Sequence, residues 1–286
     1  KDDCDCGADC AFLPDEGAKM LVPKIYSLEL TSTCNHRCHG CGNVFVDHSE
    51  NRMIYSSYKN YLPYEQWEKI LNSIQTHAIS IKLTGGEPTI YPHFTKLAYK
   101  IDTLNIPFSV LTNGNWINKK TLIPFLAKRT NLSSILVSLH GHNADIHDAF
   151  TGVKGSFEVV CSNIEYAVSH GIKVLTNTVL NKHNYLGVTD IVELSEKLGA
   201  NMAVINRYIG HNISGLTLDE STFRNTIQLV EFLRQSTGRV MWGNCIPQCF
   251  EATSSHGCSA GTTYCTIDPL GNVRPCNHAP LVLGNI

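Results

Sequence analysis

Cys34, Cys38 and Cys41 stand in one short run, Thr33-Cys34-Asn35-His36-Arg37-Cys38-His39-Gly40-Cys41. The spacing is Cys-x3-Cys-x2-Cys, directly after an apolar, strand-like segment. A [4Fe–4S] cluster ordinarily takes four thiolates. Three in one loop hold a cluster and leave one iron open, and an open coordination position marks a chemical role rather than a structural one. A zinc knuckle is the bland alternative, with His36 and His39 as extra ligands, although zinc favours paired Cys-x2-Cys units and a full set of four.

A second motif follows the next apolar run: Leu83-Thr84-Gly85-Gly86-Glu87-Pro88. Two glycines let a backbone approach a ligand closely, and Glu87 adds a negative charge, so the turn can hold a ligand ammonium group. An ordinary turn is the competing reading.

Six units of strand then helix position these residues. Strands are expected at Ile25–Leu30, Ile79–Leu83, Phe108–Leu111, Ile135–Leu139, Val174–Val179 and Met202–Ile205. Helices are expected at Tyr64–Gln75, Phe94–Leu104, Lys119–Lys128, Phe157–Ser169, Val188–Leu198 and Thr222–Gln235. Alternation of this kind implies parallel pairing, and six units are too few for a closed eightfold barrel. The fold class is therefore α/β: a partial (β/α)6 barrel followed by a small cysteine-rich β-hairpin domain. Chemistry in such folds sits at the C-terminal strand ends, where Cys34, Gly85, Asn113 and His140 would meet. Residues 42–62 interrupt the rhythm with Tyr55, Tyr58 and Tyr61, and read either as a lid or as a surface insertion.

Past Gly238 the chain turns rich in Cys, Gly and Pro. Thr263–Ile267 and Asn272–Arg274 flank Asp268-Pro269-Leu270-Gly271, a hairpin signal. The expected organisation is a cysteine-containing N-terminal segment (1–24), the barrel (25–240) and an auxiliary module (241–286).

The 286 residues include 12 cysteines, grouped at both ends and in the Cys34 loop, which metal ligation explains better than a disulfide network. Such clusters oxidise readily, so a reducing, anaerobic cytoplasm is expected. A net charge of −2 gives no bulk-charge surface for nucleic acid, no apolar run approaches a membrane span, and the first residues form no signal peptide.

With both motifs in order on consecutive strands, the chain resembles the radical S-adenosylmethionine (radical SAM) enzymes. The resemblance implies that Cys34, Cys38 and Cys41 hold a [4Fe–4S] cluster whose open iron takes S-adenosylmethionine, and that Gly85, Gly86, Glu87 and Pro88 contact its methionine ammonium. Asn113, in Thr112-Asn113-Gly114, matches a frequent pattern, and Ser138 and Asn177 stand where the family contacts the carboxylate or ribose. The family cleaves S-adenosylmethionine reductively to a 5′-deoxyadenosyl radical that abstracts hydrogen from a substrate. Gly40 departs from the pattern, which usually has an aromatic residue there.

The C-terminal run resembles the SPASM module or its shorter relative, the twitch domain, which binds an auxiliary [4Fe–4S] cluster. Cys258, Cys265 and Cys276 are the matches, and Cys249 or Cys245 supplies a fourth ligand. The run stops at Ile286 before a second cluster region, so the module is either cut short or of the single-cluster kind. Cys4, Cys6 and Cys10 read as ligands or as loose terminal thiols, and Cys161 as an apolar helix residue. The architecture implies maturation of a ribosomally made peptide, with a peptide or protein substrate and a reductant such as flavodoxin or ferredoxin. The alternatives are an anaerobic sulfatase-type maturase, a cofactor-biosynthesis enzyme or, more distantly, a non-catalytic iron–sulfur or zinc protein.

Overall fold

The structure is a computed structural model that describes residues 22–47, 54–55, 61–209, 215–243, 246 and 258–286. Its strands are β1 (Ile25–Glu29), β2 (Val46–Asp47), β3 (Ile54–Tyr55), β4 (Ser80–Thr84), β5 (Phe108–Thr112), β6 (Leu132–Ser138), β7 (Val174–Leu180), β8 (Met202–Arg207), β9 (Val240–Trp242), β10 (Tyr264–Ile267), β11 (Asn272–Arg274) and β12 (Gly284–Asn285). Its helices are α1 (Tyr64–Ile74), α2 (Phe94–Thr103), α3 (Lys119–Leu126), α4 (Ala144–Thr151), α5 (Ser156–Ser169), α6 (Val188–Lys197) and α7 (Glu220–Thr237).

One ten-stranded sheet runs β12-β11-β10-β1-β4-β5-β6-β7-β8-β9. Pairing is parallel from β10 through β9, and β11 and β12 add antiparallel edges. The sheet does not close, so its cupped face stays open.

Period two explains which face is which. Leu28, Ile81, Leu83, Phe108, Val110, Ile135 and Val137 point outward and pack with Trp67, Leu71, Leu97, Ile101, Ile123 and Ile164 of the helices. A second cluster, including Ile205, Val192, Val230 and Leu233, closes the β8–β9 end. The alternate residues face inward.

Each expected strand and helix forms, with ends shifted by a few residues. The sequence reading missed α4, which is short and follows β6 closely. Its start is nonetheless signalled: Asn143 Oδ1 accepts from the Ile146 N–H at 3.0 Å, a helix cap. The missed β9 lengthens the parallel sheet. The hairpin at Asp268–Gly271 forms as expected, and its first strand joins the sheet by pairing with β1.

A buried ionic network fixes that junction. Arg274 on β11 pairs with Glu29 on β1, and its Nε lies 3.4 Å from Asp268. Asn277 Nδ2 donates to Glu29 Oε1 at 2.8 Å and to Ser27 Oγ at 3.0 Å. The expected lid falls largely outside the described residues; β2 and β3 pair antiparallel, and Tyr61 meets Tyr91 edge-on.

Candidate active site

The cysteine loop leaves β1 and is held on both sides. The Arg37 and His39 N–H groups donate to Thr151 and Phe150 carbonyls at the end of α4, both at 2.9 Å. On the other side Gly86 N–H donates to Thr31 O at 2.7 Å, and Glu87 N–H to Thr33 O at 2.8 Å. The two glycines make this contact possible. A Cβ on Gly85 would stand 2.5 Å from Thr31 O, and one on Gly86 2.3 Å from Thr33 O; Gly85 also has φ +141°. Their bareness thus serves the approach of two strand ends as well as the cleft they line.

One cleft gathers Cys34, Cys38, Cys41, Gly85, Gly86, Asn113, Ser138, His140 and Asn177 at the C-terminal strand ends. Glu87 and Pro88 are buried and do not line it. The Glu87 carboxylate accepts from Thr89 N (3.2 Å), Thr89 Oγ1 (2.6 Å), Thr112 Oγ1 (2.8 Å) and Asn113 N (2.8 Å). Three of these donors meet Oε1 and one meets Oε2, so the carboxylate ties the β4 and β5 ends together. Burial pushes this carboxyl up, and the four donors oppose the shift.

Asn113 Nδ2 donates to Asn35 Oδ1 at 2.6 Å and lies 3.5 Å from Cys34 Sγ, to which His36 N–H also donates at 3.4 Å. Ser138 and Asn177 are register partners on β6 and β7. Asn206 on β8, which the sequence reading missed, donates its amide to Asn177 Oδ1. Only sheet pairing brings these two together.

Burial, with repulsion from Glu87 and Cys41, pushes the Cys34 thiol up to about 12 despite the His36 and Asn113 bonds. Cys38 and Cys41 are likewise raised by burial, Cys38 also by its two fellow thiols. Positive charge reverses such a penalty, so these thiols suit a metal. Among the described residues no three His, Cys, Asp or Glu side chains converge on a point for a single ion. Three thiols sharing one cleft fit a polynuclear cluster, where each iron takes its own thiolate.

Aromatic groups wall the other side. The Phe150 ring of α4 lies 4.2 Å from that of His140, tilted by 46°, and fills the space beside Gly40, where a Cβ would come within 2.9 Å of it. Burial lowers His140 far below the usual imidazole range, and Val179 N–H donates to its Nδ1 at 3.3 Å, so it is a neutral wall residue.

Cys258 is exposed, and Cys276 half-buried near the Tyr264 phenol. Their segments meet where Gly261 N–H donates to Pro275 O at 3.3 Å. Cys265, expected as a third auxiliary ligand, lies elsewhere. It pairs with Tyr26 and packs in the helix-facing core, opposite in direction to Tyr264 and Thr266, because neighbours on a strand alternate. Burial pushes its thiol up to about 11. Cys265→Ala is expected to cost about 1–3 kcal/mol of stability and leave iron content unchanged; loss of a cluster's iron from the reconstituted variant would refute the placement. Cys245, Cys249, Cys4, Cys6 and Cys10 lie outside the described residues. Cys161 is half-buried against the core, as expected of an apolar helix residue.

The Radical SAM superfamily model matches residues 28–195, from the core of β1 into α6. This chain belongs to the radical SAM superfamily. Family membership implies S-adenosylmethionine and one [4Fe–4S] cluster as cofactors. The subtilosin biosynthesis protein AlbA of Bacillus subtilis is 26% identical over 93% of the chain, and the AdoMet-dependent heme synthase of Methanosarcina barkeri 23% over 94%. Streptococcus suis SuiB bound to its precursor peptide SuiA shares the radical SAM fold, with a TM-score of 0.72 over 92% of the chain at 20% identity. The chain spans 58% of AlbA, 81% of the heme synthase and 62% of SuiB.

Proposed function

We propose that the chain is the catalytic part of a radical SAM enzyme that matures a ribosomally made peptide, with a barrel over 25–240 and an auxiliary-cluster module over 241–286. The observation that carries the reading is the single cleft joining three thiols to the ends of β4 through β7. Cys34, Cys38 and Cys41 are the cluster ligands. When bound, the cluster supplies the electron that cleaves S-adenosylmethionine for hydrogen abstraction from the substrate. Asn113 and the His36 N–H donate toward Cys34 and fix its sulfur. Gly85 and Gly86 leave room for the methionine end, and Ser138 with the Asn206-oriented Asn177 offers a hydroxyl and an amide to polar atoms of the ligand. Phe150 and His140 exclude water from that side. Cys258 and Cys276 hold an auxiliary [4Fe–4S] cluster, and a cytoplasmic flavodoxin or ferredoxin delivers electrons.

The peptide assignment draws on AlbA and SuiB. A second reading, cofactor biosynthesis, draws on the heme synthase, of which the chain spans more. No helix among the described residues is long and apolar enough to cross a membrane.

The test is anaerobic reconstitution, addition of dithionite and S-adenosylmethionine, and measurement of 5′-deoxyadenosine. Cluster-loaded protein that makes none refutes the enzyme reading. A mass change in a short peptide encoded beside the gene supports maturation; an unchanged peptide with a consumed porphyrin precursor supports the second reading.

A further inference from the structure

Below the cleft, one row of the cupped sheet is polar across five strands. Thr266 pairs with Ser27, Ser27 with Lys82, Lys82 with Ser109, and Ser109 with Ser134. Side chains on a strand alternate, so this row shares its face with Thr84, Leu111 and Leu136, two residues further along, which line the cleft. It lies about 7 Å deeper, at roughly 3.3 Å per residue. The row carries four hydroxyls and one ammonium.

Lys82 sets that ammonium 5.3 Å from the centre of the Tyr264 ring. No carboxylate among the described residues pairs with it. The two buried carboxylates nearest in sequence register are committed elsewhere, Glu29 to Arg274 and Asn277 and Glu87 to its four donors. Burial lowers the Lys82 pKa, and no neighbouring charge offsets it. Thr266 Oγ1, in the same row, is buried beside the Tyr264 phenol and makes no hydrogen bond of ordinary geometry. Ser109 and Ser134 hold only each other, at 3.3 Å. A largely dehydrated cation without a counter-charge is unfavourable, and a poorly bonded hydroxyl adds to the cost. An anion entering from the cleft relieves both. One ammonium balances one negative charge, and the row contains no second cation for a phosphate dianion.

We propose that this row is a substrate subsite, in which Lys82, flanked by Thr266, Ser109 and Ser134, receives a carboxylate of the peptide substrate beneath the S-adenosylmethionine cleft. The carboxylate is an acidic side chain or a free C-terminus. The proposal rests on the radical SAM peptide reading and names the substrate group that the barrel floor selects.

The test is acetylation of lysines in the reconstituted holoprotein by acetic anhydride, read by mass spectrometry. Glutarate is the probe, glutaramide its neutral counterpart and inorganic phosphate a third arm, with exposed Lys128 as the internal control. Glutarate at ten times its half-protecting concentration is expected to slow Lys82 acetylation about tenfold, while glutaramide leaves it unchanged and Lys128 reacts equally throughout. Equal protection by glutaramide, or none by glutarate, overturns the subsite. A Lys82 that the reagent never reaches also overturns it, because a closed floor admits no substrate. Phosphate acting at lower concentration than glutarate transfers the site to a phosphorylated ligand and overturns the carboxylate assignment. Protection by S-adenosylmethionine alone assigns the ammonium to the cofactor and overturns the substrate role. 5′-Deoxyadenosine formation on the same sample tests the cleft separately, so a protein that cleaves S-adenosylmethionine without glutarate protection fails on the subsite alone.

Discussion

Replacing Cys38 with Ala is expected to abolish 5′-deoxyadenosine formation and remove one cluster's iron, while iron at the proposed auxiliary site is retained. Cys38 is the middle of the three proposed ligands, and burial together with two neighbouring thiols makes its thiolate costly unless a metal supplies positive charge. Loss of an outer-shell partner typically costs ~10–100-fold in metal affinity or activity, and loss of a direct ligand exceeds that. The measurement is iron content and 5′-deoxyadenosine after anaerobic reconstitution, with Cys265→Ala beside it. A Cys38 variant that retains full iron and activity would remove the basis for the site. The Cys265 variant separates the proposed ligand from a core thiol, since Cys265 is buried in the core while the half-buried Cys38 faces the cleft.

Arg274→Met is expected to destabilise the protein by about 3–5 kcal/mol, the usual cost of stranding one member of a buried ion pair. Arg274 is 1% exposed and Glu29 2%. Asp268 survives the change, because it also accepts from Leu270 N (2.8 Å), Asn272 N (3.0 Å) and Asn272 Nδ2 (3.0 Å). Glu29 keeps only Asn277. Burial pushes the Glu29 carboxyl up, and the Arg274 guanidinium is the charge that opposes it. In the variant that burial acts almost unopposed, so the folded-state pKa rises further above its unfolded value. A raised carboxyl pKa favours the folded state at acid pH and loses that advantage as pH rises, so the deficit grows from acid toward neutral pH. Anaerobic thermal unfolding across that range checks both size and sign. Pairing the substitution with Glu29→Gln is expected to recover most of the loss, since no charge is then stranded; a double variant as weak as the single one would show that the network matters only through packing.

These two experiments bear on different links. Cys38 is singled out by spacing alone, and the fold places it in the cleft. Arg274 and Glu29 are separated by most of the chain, and nothing in either local sequence marks them as partners. They meet because β10 adds to β1 in parallel and carries β11 with it. The same pairing places Cys265 in the core. Its place in a cysteine-rich run suggested a ligand, but strand alternation sends it to the core and leaves Cys276 on the other side. Glu87 is a related case. A carboxylate after two glycines looks free of partners, and only the approach of Thr112 and Asn113 from the next strand adds a donor to each of its oxygens.

The sequence by itself determined the alternation of strands and helices, the three-thiol loop and the glycine turn, because each is written in local periodicity or spacing. It also placed the site at the strand ends, since parallel units leave no other edge for their loops. The tertiary structure decided which side chains face that site. Phe150 stands beside Gly40 because the end of α4 bonds to the cysteine loop. Asn206 on Asn177 and Lys82 in its row of hydroxyls depend on register between neighbouring strands. Register is a long-range quantity: a shift of one residue would turn these strand residues to the opposite face.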